Sequence, residues 1–401
     1  MHGMTYLCSS LAVLITVIHA DAAQDVSPGL RWVSADGRSE VVLEGLFQVN
    51  GSVVDEGRSP RATLGLERMR PELAGRFADS LHFRVEPNFS ADEVELEEAW
   101  IGMEVLSRHG LLMAGRMKVP FGLEEVRSRR HINFTRFSIL NQFSPAEEHG
   151  LFLNGKSDSN RWEYGVSATD GLESGDSDTS VNLAARLMLH PSAQAAASKW
   201  RNLQLGLAAT TGSLNSVAGD HGVQNAAGQV VTGLTGGVAL QGRRTRFGFE
   251  AAWFAGPWFV QAEHMLIQQG MTVDGSAEDV DFSGSYLEVA HVLTGESKSF
   301  KGVSPDQPFD PATGSGRGAW VLAARVSELN LDDRLQSGGL AMGGTYTSAI
   351  RSVSLGLNWV MNDHMILRQA LVRSVYADDV LVDGDPRDGE SALLFGLQLH
   401  F

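Results

Sequence analysis

Alternation with a period of two runs through most of this chain. At the C-terminus Leu393, Phe395, Leu397, Leu399 and Phe401 occupy every second position, and the last residue is aromatic. Successive side chains of a strand point to opposite faces, so these five form one apolar stripe. The pattern recurs upstream. In 243–254, Phe247, Phe249, Ala251 and Trp253 share a face opposite Arg244, Arg246, Gly248 and Glu250. In 81–89, Leu81, Phe83, Val85 and Phe89 oppose His82, Arg84, Glu86 and Asn88. In 350–361, Val353, Leu355, Leu357 and Trp359 oppose Ser354, Gly356 and Asn358.

The alternation predicts sixteen strands, near 40–50, 63–77, 81–89, 93–105, 110–118, 148–156, 160–169, 179–190, 201–211, 243–254, 257–268, 282–294, 318–330, 350–361, 364–376 and 390–401. Tight turns at Ala78-Asp-Ser80, Ser157-Asp-Ser159, Gly256-Pro257 and Asn362-Asp363 fall at alternate junctions. The other junctions hold longer or acidic connectors: 51–62, 119–147, 170–178, 212–242, 269–281, 331–349 and 377–389. The segment 295–317 is long and falls on the short-turn side. A soluble sandwich alternates too. Polar residues opposite the apolar face, and tryptophans near strand ends (Trp100, Trp162, Trp253, Trp258, Trp320 and Trp359), favour an all-β transmembrane antiparallel barrel with both termini on the periplasmic side.

A leader strengthens that expectation. Tyr6–Ile18 is apolar but too short to span a bilayer, and Ala20-Asp-Ala22 presents small residues where signal peptidase cuts. Cleavage after Ala22 leaves 23–401 as a single barrel domain in the bacterial outer membrane. Cys8, the only cysteine, lies in the leader, so the mature chain has no disulfide or thiolate chemistry. The mean hydropathy of -0.09 fits strands that are apolar on one face only.

The net charge is -16, which on its own argues against polyanionic partners such as nucleic acid. Parity changes the local picture. It turns Arg68, Arg70, Arg84, Arg116, Lys118, Arg186, Arg244, Arg246 and Arg325 inward, with Glu44, Glu86, Glu163, Glu250, Glu263 and Glu288 as possible partners. A lipid-facing Arg or Lys near the midplane costs roughly 2–4 kcal/mol, so mid-strand cations belong inside. Either these charges neutralise one another, or they form a track for anions. The segment 119–147 favours the track. It is long for a structureless loop and carries Arg127, Arg129, Arg130, His131 and Arg136 within ten residues. Folded into the lumen, these guanidiniums would line the constriction, where their planar forks suit phosphate oxygens.

Five spaced segments carry a resemblance. They are Gly115-Arg-Met-Lys-Val-Pro-Phe-Gly-Leu-Glu-Glu125, Arg243-Arg-Thr-Arg-Phe-Gly-Phe-Glu250, Leu293-Thr-Gly-Glu-Ser297, Gly318-Ala-Trp-Val-Leu-Ala-Ala-Arg325 and Leu355-Gly-Leu-Asn-Trp359. In this order they resemble the phosphate-selective porin O and P family. The resemblance implies a sixteen-stranded trimeric barrel, lumen-folded loops, a ladder of arginines leading to a phosphate site, and an inward periplasmic turn that accounts for 295–317. It implies that Ser128-Arg129-Arg130 stands where the family has Ser-Ser-Lys, with Arg130 in place of the central lysine. It also implies a departure: Glu67-Arg68 stands where the family has an arginine pair. Much of the acidity, including Asp378, Asp379, Asp383, Asp385 and Asp388, lies outside the expected constriction.

Other chemistry finds little support. Gly150-Leu-Phe-Leu-Asn-Gly-Lys-Ser157 matches the P-loop string, but it sits inside an alternating strand rather than between a strand and a helix. The twelve histidines are scattered without metal-ligand spacing, and parity offers no Ser/His pair for a lipase. The expectation is a cofactor-free anion channel for phosphate or related oxyanions, working as a homotrimer in outer-membrane lipid. Arg127, Arg129, Arg130, Arg68, Arg116 and Lys118 would form its selective region, and Arg70, Arg84, Arg186, Arg244, Arg246 and Arg325 the wall. A general diffusion porin or a plugged structural barrel remains the alternative.

Overall fold

The computed structural model describes residues 29–401 except 56–59, 91–93, 107–108, 172–179, 195–197, 218–221 and 383. The leader, its cleavage site and Asp383 lie outside the described residues. Sixteen wall strands follow in chain order: β1 Glu40–Asp55, β2 Pro60–Phe77, β3 Leu81–Asn88, β4 Glu95–Val105, β5 Gly110–Lys118, β6 Glu147–Lys156, β7 Trp162–Thr169 and β8 Asn182–Leu189. The wall continues with β9 Gln204–Val217, β10 Ala239–Ala255, β11 Trp258–Val273, β12 Ser276–Val292, β13 Ala319–Leu331, β14 Ala349–Val360, β15 Met365–Val382 and β16 Asp385–His400. Each pairs antiparallel with its sequence neighbour, and β16 closes on β1 from Ser391↔Asp55 to His400↔Leu46. Gly45 and Phe401 exchange backbone hydrogen bonds at the end of this seam (2.9 and 3.1 Å). Below it the short strand Leu30–Val33 pairs with the start of β1 and continues the wall.

Through the lower two-thirds of the wall, outward rows are apolar and inward rows polar, as the alternation requires. Leu355, Leu371, Phe247 and Ile101 are exposed, whereas Glu250, Glu263, Arg325 and Arg368 are buried. At the extracellular end the rule inverts. Val54, Met271, Val280, Tyr376 and Val380 point inward and pack against Leu335, Leu340 and Tyr346 of segment 332–348 and against Val223 and Val231 of a small hairpin. This inversion corrects three boundaries. Among the described residues, the segments expected as loops at 51–62, 269–281 and 377–389 are strand extensions. Of these, 269–281 is a continuous hairpin. It turns at Asp274-Gly275, both at positive φ, as a two-residue hairpin demands. Outward polar side chains such as Asp281 made these extensions read as loops, although their inward neighbours pack as a core.

The string 150–157 forms most of β6 and runs into the following turn, with no helix after it. Segment 293–318 turns into the barrel mouth. Its Lys298 amide donates to the Gly256 carbonyl (2.9 Å), and Phe300 packs edge-on against Phe254 at 4.5 Å.

Candidate functional site

The long segment leaving β5 forms a belt across the inner wall. It turns at Gly122 and buries Phe121 and Leu123 completely or nearly so. The amides of Leu123 and Glu124 then donate to the Glu263 carboxylate on β11 (2.6 and 3.0 Å). Around the wall, each successive strand then holds some part of the belt. Asn133 donates to Glu288 on β12 (2.6 Å). Arg325 on β13 donates to Glu124 (3.1 Å) and to the carbonyls of Arg136 and Phe137 (3.1 and 3.2 Å). Asn358 on β14 donates to the Asn133 carbonyl (2.8 Å). Arg368 on β15 donates to the carbonyls of Ile132 (2.9 Å) and Arg130 (2.7 Å), and Gln398 on β16 also reaches Arg130 (3.0 Å). The circuit of the wall closes where Arg130 meets Glu44 on β1 and Glu72 on β2. Inward glycines admit its apolar side chains: a Cβ at Gly284 would lie 2.7 Å from Leu140, and one at Gly356 3.1 Å from Phe134.

Charge pairing is dense along the remaining opening. Arg84 contacts Glu72, Glu86 and Glu98 (3.1, 2.7 and 3.3 Å). Arg70 pairs with Glu97 and lies 3.9 Å from Glu86. Arg186 clasps Glu250 through Nε and a terminal nitrogen (3.0 and 2.6 Å). Arg325 reaches Glu288 at 3.7 Å besides Glu124, and its guanidinium lies 4.4 Å from the Phe134 ring centre. Arg129 lies 3.6 Å from Glu125 and 4.1 Å from the Phe137 ring centre. Arg244 and Arg246 are buried on β10, and Arg246 donates to Thr210 (3.4 Å). Within the belt, burial works against the charge of Glu125, yet the Lys118 ammonium and Arg129 guanidinium hold its carboxyl below the usual range.

Arg68 explains how an acid enters the throat. The β1–β2 ladder passes from Gln48↔Arg68 to Val49↔Leu66, leaving Glu67 as the extra residue of a bulge. A bulge re-aims its side chains, and Glu67 comes to 3.3 Å from Arg68. Arg68 also donates to Gln48 (2.8 Å). Gln48 donates to Gln398 (2.6 Å), whose carbonyl oxygen accepts from Arg368 as well (2.8 Å).

Two parity assignments need comment. Arg116 stands opposite Ala99 and His149 on the row that carries exposed Ile101, Leu112 and Leu151, so it faces outward and donates to the Leu96 carbonyl (2.7 Å). Lys118, two residues on, shares that parity. Lys118 nevertheless reaches inward because its strand ends there, and its ammonium donates to the carbonyls of Glu125 (2.6 Å) and Arg127 (3.2 Å).

Arg127, Arg368 and Lys298 contact no carboxylate among the described residues. Arg127 donates to Gln261 and stacks 3.9 Å from the Phe300 ring centre. Arg368 contacts only carbonyl groups. Lys298 is buried, with its ammonium 5.6 Å from the Phe259 ring centre. Burial, with the Arg127 guanidinium nearby, pushes the Lys298 ammonium down to about 7. Beside them His131 is pushed down to about 3 by burial and the surrounding cations, so it is neutral. Arg368 and Lys298 were not among the expected residues. Arg368 alternates with inward Ala370 and Val372, which blurs the polar face, and Lys298 sits in a segment without any period.

Comparison with known proteins agrees with this architecture. The family model described as phosphate-selective porin O and P matches residues 48–401. Porin O of Pseudomonas aeruginosa is 26% identical over 189 residues, 47% of this chain and 42% of that protein, so the chain spans less than half of this relative's length. Among solved structures, an anion-selective porin from Comamonas acidovorans superimposes with a TM-score of 0.59 at 11% identity, covering 90% of this chain and 100% of the other. The trimer form of OmpT from Vibrio cholerae does so with a TM-score of 0.56 at 10% identity, covering 90% and 99%. Such structural likeness speaks for the barrel fold, and the family match over most of the sequence goes further: this chain belongs to the phosphate-selective porin O and P family.

Proposed function

We propose that the chain is a passive outer-membrane diffusion channel selective for small anions, phosphate and related oxyanions above all, and that it works as a homotrimer. The observation that carries this reading is the group Arg127, Lys298 and Arg368, three lumen cations with no carboxylate in contact among the described residues. They gather where the belt, the inward periplasmic segment and β15 meet. A hydrated anion arriving there exchanges water for guanidinium and ammonium donors in a setting of reduced dielectric, where such contacts outweigh their value in bulk water. The paired cations Arg68, Arg70, Arg84, Arg129, Arg130, Arg186, Arg244, Arg246 and Arg325, with Lys118, hold the belt or soften the potential along the approach. Their partners keep each step shallow enough for release.

One observation favours the weaker alternative, a general diffusion porin. Glu67 lies against Arg68, and Arg130 is engaged by both Glu44 and Glu72. Planar-bilayer recording separates the two readings. Phosphate added to chloride should block the chloride current at concentrations well below those at which phosphate carries comparable current. A chloride current insensitive to phosphate, with no preference for anions over cations, would leave the general porin.

A further inference from the structure

Opposite the anchored belt, the inner wall carries an aromatic ring. Inward positions of a water-filled barrel ordinarily hold polar groups. Trp100 nevertheless stands inward on β4, directly opposite Arg84 in the β3–β4 ladder. It packs against the buried group Met113, Met117 and Phe152. Its indole N–H donates to Glu98, two residues along the same strand (3.3 Å). The ring is held in place without being covered, since it borders two cavities of the inner wall, of about 720 and 310 Å3.

The polar groups around the ring are matched in sign. Glu98 lies 3.3 Å from Arg84, which also meets Glu72 and Glu86. His82, the next inward residue of β3, lies 3.3 Å from Glu104. Along the larger cavity, Lys156 stands opposite Glu163, which lies 3.2 Å from His190. Such a wall offers little to a small ion of either sign, because each charge that attracts it has a neighbour that repels it. A hydroxyl group both donates and accepts, so it can bridge a carboxylate and a guanidinium at once. In the ladder, Trp100 is opposite Arg84, two residues from Glu98 and diagonal to His82. These separations are about 5–8 Å. One six-membered ring lying on the indole therefore comes within reach of all three polar groups.

We infer that Trp100 is the stacking platform of a subsite for neutral sugars. The C–H face of a pyranose ring lies on the indole, and its hydroxyls bond to Glu98, Arg84 and His82. An open-chain polyol has the hydroxyls but no flat apolar face to bury. The subsite needs a water-filled bore and not a preference for anions, so it stands or falls apart from the selectivity proposed above. Current through the full-length protein in planar bilayers is titrated with glucose and with sorbitol, its open-chain alcohol, and each variant is read against its own conductance. Glucose should reduce the current at about fivefold lower concentration than sorbitol, the gain expected for one aromatic contact. Trp100→Ala should shrink that ratio to below about twofold, and Trp100→Phe should keep most of it. Glu98→Ala gives a second route should Trp100→Ala fail to insert: it removes one acceptor and should weaken glucose about threefold. Equal reduction by glucose and sorbitol in the parent, an undiminished ratio in an inserted Trp100→Ala protein, or unchanged glucose sensitivity in Glu98→Ala overturns the subsite. The reversal potential in a chloride gradient tests the anion channel independently, and the glucose-to-sorbitol ratio decides the subsite whichever ion carries the current.

Discussion

Arg325→Met should loosen the belt without opening the barrel. Arg325 and Glu124 are each almost fully buried, with side chains 3% exposed, and their contact of 3.1 Å is supported by hydrogen bonds from Arg325 to two belt carbonyls. Methionine fills similar volume but leaves Glu124 without its cation, while Glu288 loses a neighbour at 3.7 Å. Breaking a buried pair from one side costs about 3–5 kcal/mol, which moves the balance toward a detached belt by between about a hundredfold and a few thousandfold. Detachment is local, because Leu123, Glu124, Ile132 and Asn133 keep their bonds to β11, β12, β14 and β15. Single-channel recording should show higher conductance with added current noise, and limited proteolysis should cut between 133 and 139. The double variant Arg325→Met with Glu124→Gln removes the stranded charge and should restore most of the quiet conductance. A single variant indistinguishable from the parent in noise, conductance and protease resistance would refute the view that this pair anchors the belt.

Other consequences follow from the same geometry. Lys298 is charged below about 7 and neutral above it, so anion preference should weaken as pH rises from 6 to 8. Lys298→Arg should reduce that dependence, and reversal potentials across the pH series check it; His131, neutral throughout, contributes nothing to it. Gly284→Val should push Leu140 off its seat, since a Cβ there meets Leu140 at 2.7 Å and the Glu328 carbonyl at 2.8 Å; the overpacking costs about 1–3 kcal/mol and should appear as a noisier channel. Arg116→Leu should leave chloride selectivity unchanged, because Arg116 faces outward; a shift toward cations would return it to the lumen. Leu355→Arg places a guanidinium on the apolar outer row and should destabilise the inserted barrel by about 2–4 kcal/mol in a reversible-folding assay.

The wall was largely legible in the sequence, because bilayer and lumen impose opposite demands on alternating residues. That is why strands such as β3, β10 and β14 stood out and the count of sixteen followed. Legibility failed where the demand reversed. At the extracellular mouth, Val280 and Val380 face inward to a packed core while Asp281 and Asp379 are exposed, so strand extensions resembled acidic loops. Parity also misled at Arg116, one residue from inward Met117, because nothing local distinguishes the two rows near a strand end that carries Gly115. The belt was signalled by its length and arginines, but its course was not, since its anchors join residues far apart in sequence, from 58 positions for Arg130 with Glu72 to 201 for Arg325 with Glu124. Pairing was hidden for the same reason. Arg130 looked like the centre of an anion site until Glu44 and Glu72 came beside it, whereas Arg368 and Lys298 had no pattern to mark them.

Whether lumen cations without carboxylate partners set the channel's preference is read from its reversal potential. In a tenfold potassium chloride gradient the parent protein should reverse on the chloride side of zero. The triple variant Arg127→Gln, Lys298→Gln, Arg368→Gln should move toward zero or past it to the potassium side. A triple variant that inserts, conducts and reverses at the parent's potential would contradict the claim.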